Sequence, residues 1–171
     1  MTVILIAIIV GIIALDQLTK WIAVACLEVV GTSVTVLPDI LRFTYVHNTG
    51  MAFGMLKDHR WIFMVLSTIS IIALIIYLFR FRPDSRWMQV SMAMIIGGGI
   101  GNMIDRVALG YVIDFLDCPP IVPAVFNVAD SFVCVGAGIM IVYLFIDLIR
   151  EIKLERAQKA EKNKNDTDAD A

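Results

Sequence analysis

Charge is scarce in this chain, and so are the residues that hold metals or disulfides. Only 18% of its 171 residues are charged and the formal net charge is −2, against about a quarter charged in an ordinary soluble domain. No basic patch exists outside the ends of the apolar runs, which excludes a nucleic-acid partner. The three cysteines, Cys26, Cys118 and Cys134, are odd in number and widely spaced, with no CxxC pattern. Cys26 and Cys134 lie in apolar runs and are expected to pack as small hydrophobes. Two histidines, His47 and His59, are too few for a histidine-based zinc site. Neither comes near a candidate nucleophile, so a serine–histidine or cysteine–histidine set is excluded as well. No metal and no organic cofactor are expected.

Apolar sequence is what the chain has in abundance. Hydrophobic residues make up 59%, and the mean hydropathy is +0.83. The expected fold is an α-helical integral membrane protein with four transmembrane helices, about 3–27, 61–79, 88–104 and 126–149, since a span needs ~20 residues. A single membrane-embedded domain then covers 1–150. The charged tail, 151–171, starts as a helix and is expected to end in disorder at KNKNDTDADA. The N-terminal run lacks a basic n-region and a small-residue cleavage site and reads as a signal anchor.

Region 28–60 is different in kind. Thr32 to Leu37 and Leu41 to Val46 are rich in β-branched and aromatic residues and flank Pro38-Asp39, the pattern of two short strands about a turn. Between the first and second spans this makes a small β-rich platform. The loop that follows, from His47 through Asn48, Gly50 and Gly54, reads either as a plain hairpin loop or as an edge that holds an extended peptide through its backbone. His47 is expected at the surface or interface.

Lysine and arginine counts set the orientation. The short loop at 80–86 has Arg80, Arg82 and Arg86, and Arg150 with the tail makes six basic residues; region 28–60 has only Arg42, Lys57 and Arg60. The positive-inside rule therefore places both termini in the cytoplasm and the β-rich platform outside.

Polar side chains cluster where they are expensive. Gly97 to Asp130 carries Asn102, Asp105, Arg106, Asp114, Asp117, Asn127 and Asp130 beside uninterrupted apolar sequence. Ionisable groups at membrane depth are a functional site by default. Gly97 and Gly101 let the third helix pack closely on a neighbour. Asp105 and Arg106 read as an interfacial cluster, with the Arg106 fork suited to a carbonyl, a carboxylate or a headgroup. Asp114, with two apolar residues on each side, is expected to be partly desolvated. Asp117, beside Cys118-Pro119-Pro120, is expected to be solvated in a turn. Asn127 suits an N-cap, with Asp130 in the first turn of the fourth span. Asp114 and Asp130 can thus meet at the outer membrane edge and share one proton, one activating a water while the other polarises a carbonyl. Earlier in the chain Asp16 and Lys20 stand at i and i+4, as a helix-end pair with Lys20 snorkelling or as a brace for the site. Residue chemistry alone leaves peptidase, proton-coupled transporter and assembly factor open.

Five motifs, DQLTK at 16–20, NTGMAFG at 48–54, GGGIGNMIDR at 97–106, YVIDF at 111–115 and FNVAD at 126–130, occur in that order on the four expected spans. The combination closely resembles the lipoprotein signal peptidase family, signal peptidase II, over essentially all of residues 10–150. The resemblance implies a bacterial inner-membrane aspartic peptidase that removes signal peptides from lipid-modified prolipoproteins just before the diacylglyceryl-cysteine. It matches Asp114 and Asp130 to the catalytic dyad, with Asp105 as the alternative member. It matches Asn48, Gly50, Asn102, Arg106 and Asn127 to residues lining or bracing the substrate site, and Asp16 and Lys20 to a supporting pair. It further implies contact with membrane lipids, inhibition by globomycin-type compounds and a monomer. Met51 departs from the alanine of many members, which is expected to alter pocket shape rather than chemistry.

Overall fold

The computed structural model describes residues 1–50, 60–121 and 123–169. Met51, His59 and the rest of the expected NTGMAFG loop after Gly50 lie outside the described residues. Along the chain run helix α1 (Thr2–Leu27), strands β1 (Ser33–Leu37) and β2 (Leu41–Asn48), and helix α2 (Arg60–Ile76), which ends in a π-helical turn at Tyr77–Phe81. Helix α3 (Arg86–Ala108), strands β3 (Val112–Asp117) and β4 (Val125–Phe126) and helix α4 (Val128–Ala169) follow.

Among the described residues three stretches are long and apolar enough to cross a membrane: Thr2–Leu27, Met64–Phe81 and Val128–Arg156. α1 shows what such a helix does with its surface. It is apolar all round, yet only Leu5, Ile9, Ile12, Asp16, Lys20, Ala23 and Leu27 are buried, a stripe at three- to four-residue spacing. Val3, Val10 and Leu18 on its other faces remain exposed, as suits contact with lipid rather than water.

α3 holds the centre. It touches α1, α2 and α4 and buries ten of its residues, among them Met92, Ala93, Ile96, Gly98, Gly101 and Asn102. Its glycines allow this at the backbone. A Cβ on Gly98 would collide with the Ala129 carbonyl of α4, and one on Gly101 would sit 2.6 Å from Asp16 Oδ2 of α1. α3 can therefore lie against both neighbours at once. One apolar core joins Leu5 and Ile9 to Met92 and Ile96. A second joins Ala23 and Leu27 of α1 to Tyr45, Ile113 and Phe115 of the sheet, and so fixes the sheet on the end of α1.

The sheet is antiparallel in the order β1-β2-β3-β4. The expected strands about Pro38-Asp39 are present, and Asp39 adopts the left-handed conformation with φ 58°, which aspartate tolerates in turns. β2 continues two residues beyond the expected Val46, because His47 and Asn48 pair with Ile113 and Val112 of β3. Part of the presumed loop is thus strand, and the segment after Gly110 is strand as well.

Two other expectations are corrected. Asp117 is not a solvated turn residue: it closes β3 opposite Arg42, whose guanidinium lies 2.8 Å from its Oδ2. Cys26 and Cys134 do not pack inside the protein but are exposed on helix surfaces. Separately, α4 is helical through Ala169, in a segment rich in the helix formers Ala, Glu, Lys and Gln.

Candidate functional site

β3 emerges from Gly110 and runs back across the end of α3, delivering Asp114 to the point where α4 begins. Asp114 is 1% exposed. Both of its oxygens accept from side-chain amides: Oδ1 from Asn127 Nδ2 at 2.7 Å and Oδ2 from Asn48 Nδ2 at 2.8 Å. The Asn48 carbonyl oxygen accepts the Gly50 N–H at 3.0 Å, an Asx turn that fixes the amide aimed at Asp114.

Asp130 sits in the first turn of α4. Asn127 is the N-cap, as expected: its Oδ1 accepts the Asp130 N–H at 2.9 Å, and Asp130 Oδ2 accepts the Asn127 N–H at 3.3 Å. This is a reciprocal capping box with aspartate at the third position. Asp130 Oδ1 accepts from Asn102 Nδ2 at 2.7 Å. Asn127 Nδ2 also reaches Asn102 Oδ1 at 3.0 Å. A continuous chain of contacts, Asp114–Asn127–Asn102–Asp130, therefore ties the two carboxylates together.

Beneath it lies a second, fully buried layer. Lys20 is 2% exposed, and its ammonium contacts Asp16 Oδ2 at 2.8 Å, Asp105 Oδ2 at 2.9 Å and Asn102 Oδ1 at 3.0 Å. Its three donors are used by three partners. The snorkelling reading of Lys20 is thereby excluded, since its head lies inside the helix bundle rather than at an interface. Asp105 is corrected too: it is not an interfacial residue but a buried one. Besides Lys20 it accepts from Gln17 Nε2 at 2.9 Å and from the Ile113 N–H at 3.1 Å. With its oxygens so occupied, it faces the back of β3 and not the space between Asp114 and Asp130. Every buried side-chain nitrogen or oxygen among the described residues has a partner, the condition for a buried polar network to be tolerated.

Gln17 was missed by sequence reasoning. It bridges Asp105 and the Gly101 carbonyl, and only its place beside Asp16 in a polar break of an apolar run pointed to it. Arg106 is half-buried and makes no hydrogen bond or ion pair with any described side chain, although it lies within electrostatic reach of Asp130, Asp114 and Asp105. His47 is half-buried rather than at the surface. It stacks on Tyr111 with ring centroids 3.8 Å apart and bonds the Tyr45 hydroxyl at 2.8 Å.

The electrostatics separate Asp114 from an ordinary carboxylate. Burial, reinforced by the nearby charge of Asp130, raises its pKa from 3.8 to about 7; the amides of Asn48 and Asn127 and the Lys20 ammonium oppose the rise. Desolvation disfavours the charged form, and so does a second carboxylate nearby. A group held there is half-protonated near neutral pH and can serve as acid or base. Among the described residues no group of three or more His, Cys, Asp or Glu side chains could hold a metal ion.

Comparison with known proteins identifies the family. The family model described as Signal peptidase (SPase) II matches residues 8–146. A lipoprotein signal peptidase of Halalkalibacterium halodurans is 40% identical over 154 residues, covering 89% of this chain and 94% of that protein. One from Caldanaerobacter subterraneus subsp. tengcongensis is 45% identical over 141 residues, covering 82% and 94%. A solved structure described as a bacterial membrane enzyme superposes with a TM-score of 0.78 at 34% identity, covering 84% of this chain and 88% of that one. A second of the same description gives a TM-score of 0.73 at 34% identity. The class is therefore a bacterial membrane enzyme, and an aspartic-type peptidase. The chain belongs to the signal peptidase II family.

Proposed function

We propose that this enzyme removes signal peptides from diacylglyceryl-modified prolipoproteins, cleaving just before the lipidated cysteine, with Asp114 and Asp130 as the catalytic pair. The observation that carries the reading is the amide chain joining the two aspartates, with Asp114 held near neutrality. Asp114 enters the reaction protonated and polarises the scissile carbonyl. Asp130, fixed at the N-terminus of α4, takes a proton from water as that water attacks. The tetrahedral intermediate collapses when the proton is returned to the leaving amine. Neither a metal nor an organic cofactor takes part.

Asn102, Asn127 and Asn48 hold the carboxylates in place; Gly50 holds Asn48; Arg106 meets a carbonyl of the substrate. Asp16 and Lys20 brace the layer beneath. All four long helices span the membrane in this reading, with α3 tolerated despite its polar residues because they face the bundle. Both termini are cytoplasmic, and the sheet lies on the extracytoplasmic side, where its unpaired edge can hold an extended peptide. The substrate's acyl chains stay in apolar surroundings during cleavage, which avoids a cost of ~0.8 kcal/mol per CH₂ moved into water. The enzyme works as a monomer and is open to globomycin-type inhibitors.

The test uses purified enzyme in lipid with a precursor prepared with and without the diacylglyceryl group, and with EDTA as a metal control. Cleavage of the modified precursor alone, unaffected by EDTA, supports the proposal. No cleavage of a modified precursor that an active relative cuts would reject it.

A further inference from the structure

The end of β2 carries two neighbouring side chains to opposite faces of the sheet, and one of them has no part in the mechanism above. Asn48 opposes Val112 of β3 and reaches its diagonal neighbour Asp114, whose Oδ2 accepts the amide at 2.8 Å. His47 opposes Ile113 and reaches its own diagonal neighbour, Tyr111. The two rings stack with centroids 3.8 Å apart and planes inclined by 20°. On the same face Tyr45, 5% exposed, is anchored in the core with Ala23 and Leu27 of α1, and its hydroxyl bonds His47 Nε2 at 2.8 Å. His47 thus joins the end of β2 to the start of β3 and, through Tyr45, to α1. This end of the strand needs holding. Phe43 pairs with Leu116 but Val46 with Asp114, so β2 carries one extra residue between them, a bulge. Register beyond a bulge is set by the pairs that follow it. Here those are Val46, His47 and Asn48 with Asp114, Ile113 and Val112. A slip of one residue would turn Asn48 away from Asp114.

We infer that His47 is a positioning residue for Asp114: its ring, stacked on Tyr111 and bonded to Tyr45, fixes the register in which Asn48 meets the carboxylate. The inference rests on the peptidase reading above for its effect on turnover, but not for its effect on Asp114 itself. Asn48 is held from downstream by the Gly50 N–H and from upstream by this clamp. The Asn48 amide favours the ionised form of Asp114, so loosening the clamp keeps the carboxyl protonated to higher pH. The charged groups that face Asp114 are Asp130 of α4, Lys20 of α1 and Arg106 of α3. His47 meets two phenols. Burial, with Tyr111 nearby, raises the Tyr45 pKa above its ordinary 10.0, so that phenol stays neutral beside it.

The test follows the protonation of Asp114 in the substrate-free enzyme, by NMR of isotope-labelled aspartate carboxyls, with its signal assigned by its loss in Asp114→Asn. His47→Ala should move the titration midpoint up by about one pH unit, the size of one lost hydrogen bond to a charged group. His47→Phe combined with Tyr45→Phe keeps a ring against Tyr111 and leaves no buried hydroxyl without a partner. That pair should return the midpoint to the wild-type value. The rescue separates position from charge, since phenylalanine carries none. In the cleavage assay the alkaline limb of kcat/KM should move with the NMR midpoint, and His47→Ala added to Asn48→Ala should shift it no further. If His47→Ala does not fold, His47→Gln, which has no ring to stack, gives the same reading. A midpoint that stays in place, no rescue by phenylalanine, or additive shifts in the double variant would overturn the inference. A wild type that cleaves no modified precursor would reject the peptidase reading instead, and the NMR titration would still decide this one.

Discussion

Asp16 Oδ1 accepts the backbone N–H of Ala129 at 3.0 Å, across a sequence separation of 113 residues. A carboxylate from the first helix thereby caps the N-terminus of the last, one residue before Asp130. Its other oxygen meets Lys20 at 2.8 Å, and Lys20 in turn meets Asn102, which bonds Asp130. The floor of the site is thus set by α1, although neither Asp114 nor Asp130 belongs to it.

Removing the cation from that floor should cost stability first. Lys20→Met leaves Asp16 and Asp105 buried without their counter-charge, and breaking a buried pair in this way costs about 3–5 kcal/mol. Thermal unfolding in detergent should show a large fall in midpoint. Adding Asp105→Asn should recover part of it; a double variant with fully additive losses would contradict the coupling.

Each aspartate of the proposed pair should be indispensable to turnover without being needed for folding. Asp114→Asn and Asp130→Asn keep the shape and one of the two contacts that each carboxylate accepts but cannot exchange a proton, so kcat should fall by about 10³-fold or more, while the fold is retained at a somewhat lower melting midpoint. If Asp114→Asn kept near-normal activity while Asp105→Asn did not, the pairing would have to be redrawn.

The alkaline limb of the pH profile should report Asp114. In the proposed mechanism its carboxyl is the acid, and it loses its proton as pH rises through about 7, so kcat/KM should fall about tenfold per pH unit above that point. The sign for stability is the same. A carboxyl whose folded-state pKa stands above its ordinary 3.8 favours folding at low pH and loses that contribution between about 4 and 7. Because the Asn48 amide opposes the rise, Asn48→Ala should move the limb to higher pH while slowing the reaction. A limb that moved to lower pH would show that Asn48 does not hold the ionised form.

Close packing of α3 on α4 should tolerate no side chain at position 98. Gly98→Ala places a methyl group against the Ala129 carbonyl and 2.8 Å from Val133 Cγ2. Overpacking of this kind costs about 1–3 kcal/mol, and here it also pushes Asp130 away from Asn102. Both the melting midpoint and kcat should drop. Gly138→Ala on the same helix pair, where a Cβ meets nothing within 4 Å, is the matched control and should be near neutral.

Much of the architecture was readable from residue order because its causes are local. Apolar runs of membrane length, the β-branched segments about Pro38-Asp39 and the Asn127 cap each depend on neighbours a few residues away. The same local logic marked Asp114, through its apolar flanks, and Asp130, through its place three residues after the cap. The family motifs then joined the two.

Where local reading failed, the partner was distant. Lys20 looked free to snorkel because its contacts with Asn102 and Asp105 come from α3. Asp105 looked interfacial because the Ile113 amide that it accepts belongs to a strand that turns back over the helix. Gln17 lies in the DQLTK motif, but its partners, Asp105 and the Gly101 carbonyl, belong to α3. Sequence by itself therefore determined that this chain is a membrane-embedded aspartic-type peptidase, since hydropathy and motif order survive without coordinates. Only the tertiary structure decided which polar groups are charged partners, which are donors and which are left for substrate. Where every buried polar group among the described residues has a partner, that choice is made by whichever helix brings the matching atom within about 3 Å.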